Sequence, residues 1–338
     1  MDSSVATRRL LASLLVASPG LIVSGYLAVR RAVIAFLYKA ASLPNEQVLR
    51  DVSYLEGSED EKHRLDLFLP QGTNWPILIF IHGGALTSGD KAFRIAGADV
   101  YGNIGRFYAS QGIGVALINY RLQPKVTWRE QVDDVAHAVE WVRDHISDYG
   151  GNSDCIFIGG HSAGGYLSAR VALDPEPLAQ LGLSPRVFRG VIAVSGAALD
   201  LCDAQTYELG KNLRDYEARF RCGDPTESWK TKASPVHCVT RGAPPFLVLY
   251  ATEETKSLQR QSQLLHEALQ RKDVPSELVA VPGQNHCRMV LTLSRPDKTS
   301  APAILRFIRE RTNEAVLREA IDQCWAGRSF TMVAPLPP

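Results

Sequence analysis

Residues Cys155 to Leu173, CIFIGGHSAGGYLSARVAL, constrain the fold of this chain more than any other stretch. A run of strand formers meets Gly160-His161-Ser162-Ala163-Gly164 without a spacer, and helix formers follow at once. A reversal that tight drives its apex toward positive φ, which costs a non-glycine residue on the order of 1–3 kcal/mol. A strand turning sharply into a helix is a unit of a parallel sheet covered by helices. Serine at the apex, where glycine would be less strained, points to a use for its hydroxyl.

The rest of the chain repeats that alternation. HRLDLFLP alternates and ends at Pro70, which suits a strand, and WPILIFIHGG is continuously apolar, as a central parallel strand should be. A helix is expected near Asp99–Gln111, followed by a strand in GVALINYRL. WREQVDDVAHAVEWVRDHISDYGG sets Val132, Val135, Ala136, Val139, Val142 and Ile146 at helical spacing and closes on Gly150-Gly151. FRGVIAVSG, PPFLVLYATEE and SELVAVPG read as further strands, with SLQRQSQLLHEALQRKDV a helix between the last two. TSAPAILRFIRERTNEAVLREAID supplies one or two closing helices. The expected fold is α/β, a central, mostly parallel sheet covered by helices.

Residues Ala197 to Gly242 lose periodicity just after a strand's carboxyl end, where such folds bind ligands, so a cap is expected there. The expected organisation is a hydrophobic segment over 1–43, a catalytic domain over 44–312 with its cap at 197–242, and a C-terminal helix and tail over 313–338.

Charge and cysteine content exclude more than they assign. Lys and Arg number 37 against 36 for Asp and Glu, a net charge of +1 without the basic excess of a nucleic-acid binder. Six cysteines with no CxxC pair argue against a zinc ribbon or a disulfide framework, and leave room for one bridge, Cys202 to Cys222. Leu10 to Val29 runs about twenty residues without a charge between Arg8-Arg9 and Arg30-Arg31, the length of a bilayer core. A membrane anchor is the expectation, and with it a membrane-associated protein that can enter the secretory pathway. A cleaved signal peptide and a helix packed on the domain are the alternatives.

Gly160 to Gly164 fits the G-x-S-x-G turn in its required context of strand, reversal and helix, making Ser162 the candidate nucleophile. The Ala163 amide then stands at a helix N-terminus, where it can meet a developing oxyanion. His82-Gly83-Gly84-Ala85 ends the apolar strand upstream, and the amides of Gly84 and Ala85 are expected to face the same oxyanion. A missing Cβ at Gly84 would let substrate approach the backbone, and His82 is expected to orient this loop. The base should follow the last strand. His286 stands there, whereas His63, His82, His137, His145, His161, His237 and His266 fall elsewhere. The acid should follow FLVLYA, where the chain reads Thr252-Glu253-Glu254-Thr255; Glu254 is the first candidate, Glu253 the alternative, with Asp200 and Asp203 in reserve.

With these residues in place the chain resembles the α/β-hydrolase superfamily, over about Arg50 to Arg311. HGGA followed by GHSAGG is similar to the hormone-sensitive-lipase-type carboxylesterases, the isoprenylcysteine methylesterases and the kynurenine formamidases. In such enzymes the acid precedes a helix carrying an RQS-like stretch, and counting back from Gln259–Ser262 reaches Glu254. The resemblance implies a serine ester hydrolase acting on a small or medium-sized ester through an acyl-enzyme, without metal or organic cofactor. An amidase or arylformamidase on the same residues, and a catalytically silent ligand-binding protein on this fold, are the rival readings. Two departures bear on substrate and rate: Leu86 stands where those groups often carry an aromatic residue, and glutamate replaces the usual aspartate.

Overall fold

The computed structural model describes residues 47–95, 97–210, 213–296 and 298–326. The expected hydrophobic segment, including Leu10–Val29, lies outside the described residues, as does the end of the C-terminal tail. Among the described residues no helix is long and apolar enough to cross a membrane.

The strands of the main sheet are β1 (Val48–Ser53), β2 (Arg64–Phe68), β3 (Trp75–Ile81), β4 (Gly114–Ile118), β5 (Gly151–His161), β6 (Phe188–Val194), β7 (Phe246–Ala251) and β8 (Ser276–Val281). They lie in the order β1-β2-β4-β3-β5-β6-β7-β8. β2 runs antiparallel to both β1 and β4, and the remaining pairings are parallel. The central strands are apolar on both faces because both faces are covered. Ile77, Ile79 and Ile81 of β3 enter one core, while Leu78 and Phe80 enter the other.

Helices α1 (Val100–Ser110), α2 (Trp128–His145) and α3 (Ala163–Leu173) follow β3, β4 and β5 in turn. The helical spacing read in α2 is its buried stripe, Val132, Val135, Val139 and Val142. A capping box between Thr127 and Glu130 starts it, and Gly150, at φ 92°, closes the turn that follows. After β6 come the cap helices α4 (Ala204–Gly210), α5 (Leu213–Phe220) and α6 (Ser228–Ala233), then α7 (Lys256–Gln270), α8 (His286–Thr292) and α9 (Ser300–Ala326). Helices α2, α3 and α7 cover one face of the sheet, and α1, α8 and α9 the other. α9 is one helix and runs without a break across position 312.

Three expectations change. β1 is an additional edge strand, VLRDVS, too short and polar to stand out by periodicity and interrupted at Asp51, whose φ is 56°. Asp66 in β2 is fully buried although alternation would expose it; Lys91 Nζ at 2.5 Å, the Asp51 amide at 3.0 Å and Arg50 hold its carboxylate. Cys202 and Cys222 are free thiols, not a bridge, because each sulfur faces a neighbour in its own part of the cap: Thr231 Oγ1 at 3.4 Å and the Arg219 carbonyl at 3.8 Å.

Candidate active site

Parallel strands deliver their following loops to one edge of the sheet. β3 ends at Ile81, in register with Gly160 of β5, so the His82–Ala85 loop lies beside the serine turn. β7 and β8 end together at Ala251 and Val281 and send out the loops of Glu254 and His286.

Ser162 sits at φ 59° and ψ −115°, the strained apex expected of the reversal, and its amide donates to the Val194 carbonyl at 2.9 Å. The flanking glycines are required by packing. A Cβ at Gly164 would stand 2.1 Å from the Ile81 carbonyl oxygen, and one at Gly160 would stand 2.6 Å from it. The turn therefore fits only against the end of β3.

Ser162 Oγ is 2.9 Å from His286 Nε2, and His286 Nδ1 is 2.9 Å from Glu254 Oε2. His286 opens helix α8, behind the N-cap Asn285, rather than lying in a free loop. The Glu254 carboxylate is buried, and its other oxygen accepts the Ala251 amide at 3.1 Å. Glu254 thus reaches the imidazole, whereas Glu253 is exposed and contributes its amide to the Gln284 carbonyl at 2.8 Å. Asp203 is paired with Arg260, and Asp200 accepts the Cys202 amide.

The loop before α1 holds two consecutive non-glycine residues in the left-handed region, Ala85 at φ 54° and Leu86 at φ 67°. Each costs on the order of 1–3 kcal/mol and must be held by its surroundings. The Gly83 amide donates to Tyr101 Oη at 3.0 Å, and the amides of Thr87 and Ser88 donate to the Gly84 carbonyl at 3.1 and 3.0 Å. Ala85, Leu86 and Ala163 line a cavity of about 250 Å³ together with Ser162 and His286. Gly84 does not line it; its missing Cβ serves the loop itself, since a side chain there would strike the Ser88 carbonyl at 1.9 Å. His82 donates from Nδ1 to the Gly83 carbonyl at 2.7 Å and stacks on Tyr120, and burial pushes its pKa down to about 4.

One part of the site escapes sequence reasoning, and the contacts of another show only in three dimensions. His161, at the variable position of the serine turn, is buried and lies 2.9 Å from the His286 carbonyl through Nε2. Burial, and then the neighbouring His286, push its pKa down to about 3, so it is neutral and donates that proton. The QRQS stretch is a second clamp. Gln259 Nε2 donates to the carbonyls of Thr252 and Glu254 at 2.9 and 3.0 Å, while Arg260 and Gln261 hold the cap at Asp203 and Asp200. Gln259, Arg260 and Gln261 each meet a partner outside their own helix, a signal readable only once the helix is docked.

A strained serine at a strand–helix turn, hydrogen-bonded to a histidine and a buried carboxylate at one edge of this sheet, defines an α/β-hydrolase fold. The BD-FAE family model matches residues 65–269, and the chain belongs to that family. Esterase LipQ of Mycobacterium tuberculosis is 33% identical over 230 residues, which are 65% of this chain and 52% of that protein. Isoprenylcysteine alpha-carbonyl methylesterase ICME of Arabidopsis thaliana is 31% identical over 132 residues, 38% of this chain and 29% of that protein. The chain spans between 52% and 60% of the length of the first three curated relatives it matches. Esterase B from Lactobacillus rhamnosis shares the fold at a TM-score of 0.69 and 23% identity, over 89% of this chain and 96% of that one.

Proposed function

We propose that the protein is a serine hydrolase of carboxylic esters. The observation that carries this reading is the unbroken chain Glu254–His286–Ser162, both links at 2.9 Å, opening on a cavity that also presents Ala85 and Ala163. His286 Nε2 takes the proton as Ser162 Oγ attacks the acyl carbon, and the Glu254 carboxylate stabilises the imidazolium that forms. The amides of Ala85 and Ala163 receive the charge that develops on the carbonyl oxygen. His286 then protonates the departing alkoxide, and water, deprotonated by the same nitrogen, attacks the acyl-enzyme and frees Ser162.

The cavity volume of about 250 Å³ and walls that include Leu86, Ala163, Tyr166, Phe220 and Leu258 suit a short, apolar acyl group. Relatives named as esterases support the same class of reaction. Hydrolysis of p-nitrophenyl butyrate by the wild type and Ser162→Ala tests it. Ser162→Ala is expected to lose roughly 10⁴-fold or more in kcat. Retention of the wild-type rate by Ser162→Ala would remove the mechanism.

Membrane association belongs to the same proposal, supported by the uncharged run Leu10–Val29 between arginine pairs. Full-length protein expressed in cells should stay with the membrane fraction through an alkaline wash; release into the soluble fraction would argue against an anchor.

A further inference from the structure

The cap helix α5 reaches the oxyanion loop with one side chain. Arg219 Nε donates to the Ala85 carbonyl at 3.0 Å, and Arg219 Nη1 donates to the Asp215 carbonyl of its own helix at 2.8 Å. The Arg219 carbonyl accepts Gln123 Nε2 at 3.0 Å, and the Gln123 amide donates to the Leu86 carbonyl at 3.0 Å. Three hydrogen bonds therefore run from the oxyanion loop to Gln123, on to the end of α5, and back to the oxyanion loop. Trp128 Nε1 supports the same helix end through the Phe220 carbonyl at 3.0 Å. These carbonyls belong to the last turn of α5, where no helical partner is available.

The circuit encloses the two non-glycine residues the loop holds at positive φ, Ala85 and Leu86. A planar trans peptide points its carbonyl and its amide in opposite directions. The Gly84 carbonyl is fixed by the amides of Thr87 and Ser88, at 3.1 and 3.0 Å, so the Ala85 amide is aimed away from them. The next peptide, Ala85–Leu86, is fixed at its carbonyl by Arg219. Both peptide planes that meet at Ala85 are thereby set, one by the loop and the other by the cap.

We propose that Arg219 is a positioning residue: by holding the Ala85 carbonyl, it makes the seating of the cap a condition for a well-aimed oxyanion amide. This rests on the ester-hydrolase reading above. Cap and chemistry are then coupled, because a cap lifted from the core also releases Ala85 from one of its two restraints. Ground-state binding of an ester makes little use of that aim, whereas the tetrahedral intermediate depends on it.

The test uses the full chain, with p-nitrophenyl butyrate as substrate, a trifluoromethyl ketone as a mimic of the tetrahedral adduct, and a fluorophosphonate label that counts competent Ser162. Arg219→Met is expected to lower kcat about 10- to 100-fold with KM within about twofold, and to weaken the ketone in parallel. Gln123→Leu breaks the circuit at another bond, outside the cavity wall, and should give the same pattern to a smaller extent. The double variant should be no worse than Arg219→Met alone, since both break one circuit. Arg221→Met is the control, since Arg221 bonds within the cap to the carbonyls of Asp224 and Pro225.

An unchanged kcat in Arg219→Met would overturn the proposal. So would a raised KM at constant kcat, which would make Arg219 a substrate contact. Loss of fluorophosphonate labelling in Arg219→Met with Gln123→Leu unaffected would overturn it too, by reducing the arginine to a prop for the cap. A wild type that neither hydrolyses esters nor takes the label would instead remove the underlying reading, and this inference with it.

Discussion

The catalytic edge and the cap line the same cavity but are held in different ways. At the catalytic edge the loops of the acid and the histidine are laced together. The Thr252 amide donates to the Val281 carbonyl at 3.1 Å, the Glu253 amide to the Gln284 carbonyl at 2.8 Å, and the Gly283 amide to Thr252 Oγ1 at 3.0 Å. His161 adds a side-chain tie from the serine turn to His286. The cap, by contrast, rests on side chains reaching across to single carbonyls and carboxylates. Tyr166 Oη reaches Ala233 at 3.0 Å, Trp128 reaches Phe220, and Arg260 reaches Asp203. Backbone lacing fixes atomic positions for chemistry, while side-chain ties leave a wall that can be reshaped. Substitutions at the edge should therefore act on kcat and substitutions in the cap on KM, with Arg219 as the exception.

The largest separation is expected between two adjacent residues. Glu254→Gln leaves the imidazole without a carboxylate to stabilise its cationic form and should lower kcat by roughly 10³- to 10⁴-fold. Glu253→Gln, on an exposed side chain whose structural contribution is its amide, should stay within about twofold of wild type. Steady-state kinetics on p-nitrophenyl butyrate measure both. Equal losses in the two variants would mean that the acid is shared and that the edge is less fixed than its hydrogen bonds indicate.

His161 tests the lacing itself. His161→Leu removes the donor to the His286 carbonyl and should cost about 10- to 100-fold in kcat, by letting the base drift from Ser162. His161→Gln, which keeps an amide donor, should recover most of that loss, and KM should move little in either. A change confined to KM would place His161 with the cap residues instead. On the cap side, Phe220→Ala should raise KM about tenfold or less and spare kcat, because Phe220 walls the cavity and packs on Trp128 and Tyr166.

The same division explains what could be read from the sequence. Ser162, Glu254 and His286 were legible because each follows an apolar strand in a fixed chain order, and strands of continuous apolar residues are hard to mistake. The position after FLVLYA favours Glu254 over Glu253, and counting back from QRQS supports it. Its physical basis, Gln259 clamping the acid loop, became visible only in three dimensions. β1 is not legible in the sequence because an edge strand with Arg50 and Asp51 has no apolar period to detect. The cap helices are illegible for a related reason: α5 and α6 are held by docking contacts from Trp128 and Tyr166, which lie far away in sequence. The role of His161 is not legible in the sequence because its partner, a backbone carbonyl 125 residues on, carries no side-chain signature.

Acid should separate the two regions again, through stability rather than through rate. His82 and His161 flank the serine at the catalytic edge, and burial holds them at about 4 and about 3 rather than the ordinary 6.5. Below pH 6.5 the unfolded chain takes up protons on both rings that the folded chain refuses. Stability must then fall as pH falls, by about 1.4 kcal/mol per pH unit for each ring, until the folded values are reached. The cap anchor behaves differently. The hydrogen bond from Arg260 pulls the Asp203 carboxylate down to about 2, so its contribution is complete above the ordinary carboxylate range and is lost only as pH falls through about 2. Urea midpoints taken between pH 7 and pH 5 should therefore decline in the wild type and decline less steeply in His161→Gln. Asp203→Asn should lower the midpoint by an amount that is the same at every pH in that range. A wild-type profile that stays flat would mean that the two rings are solvated in the folded protein, and the catalytic edge would then be no more tightly enclosed than the cap.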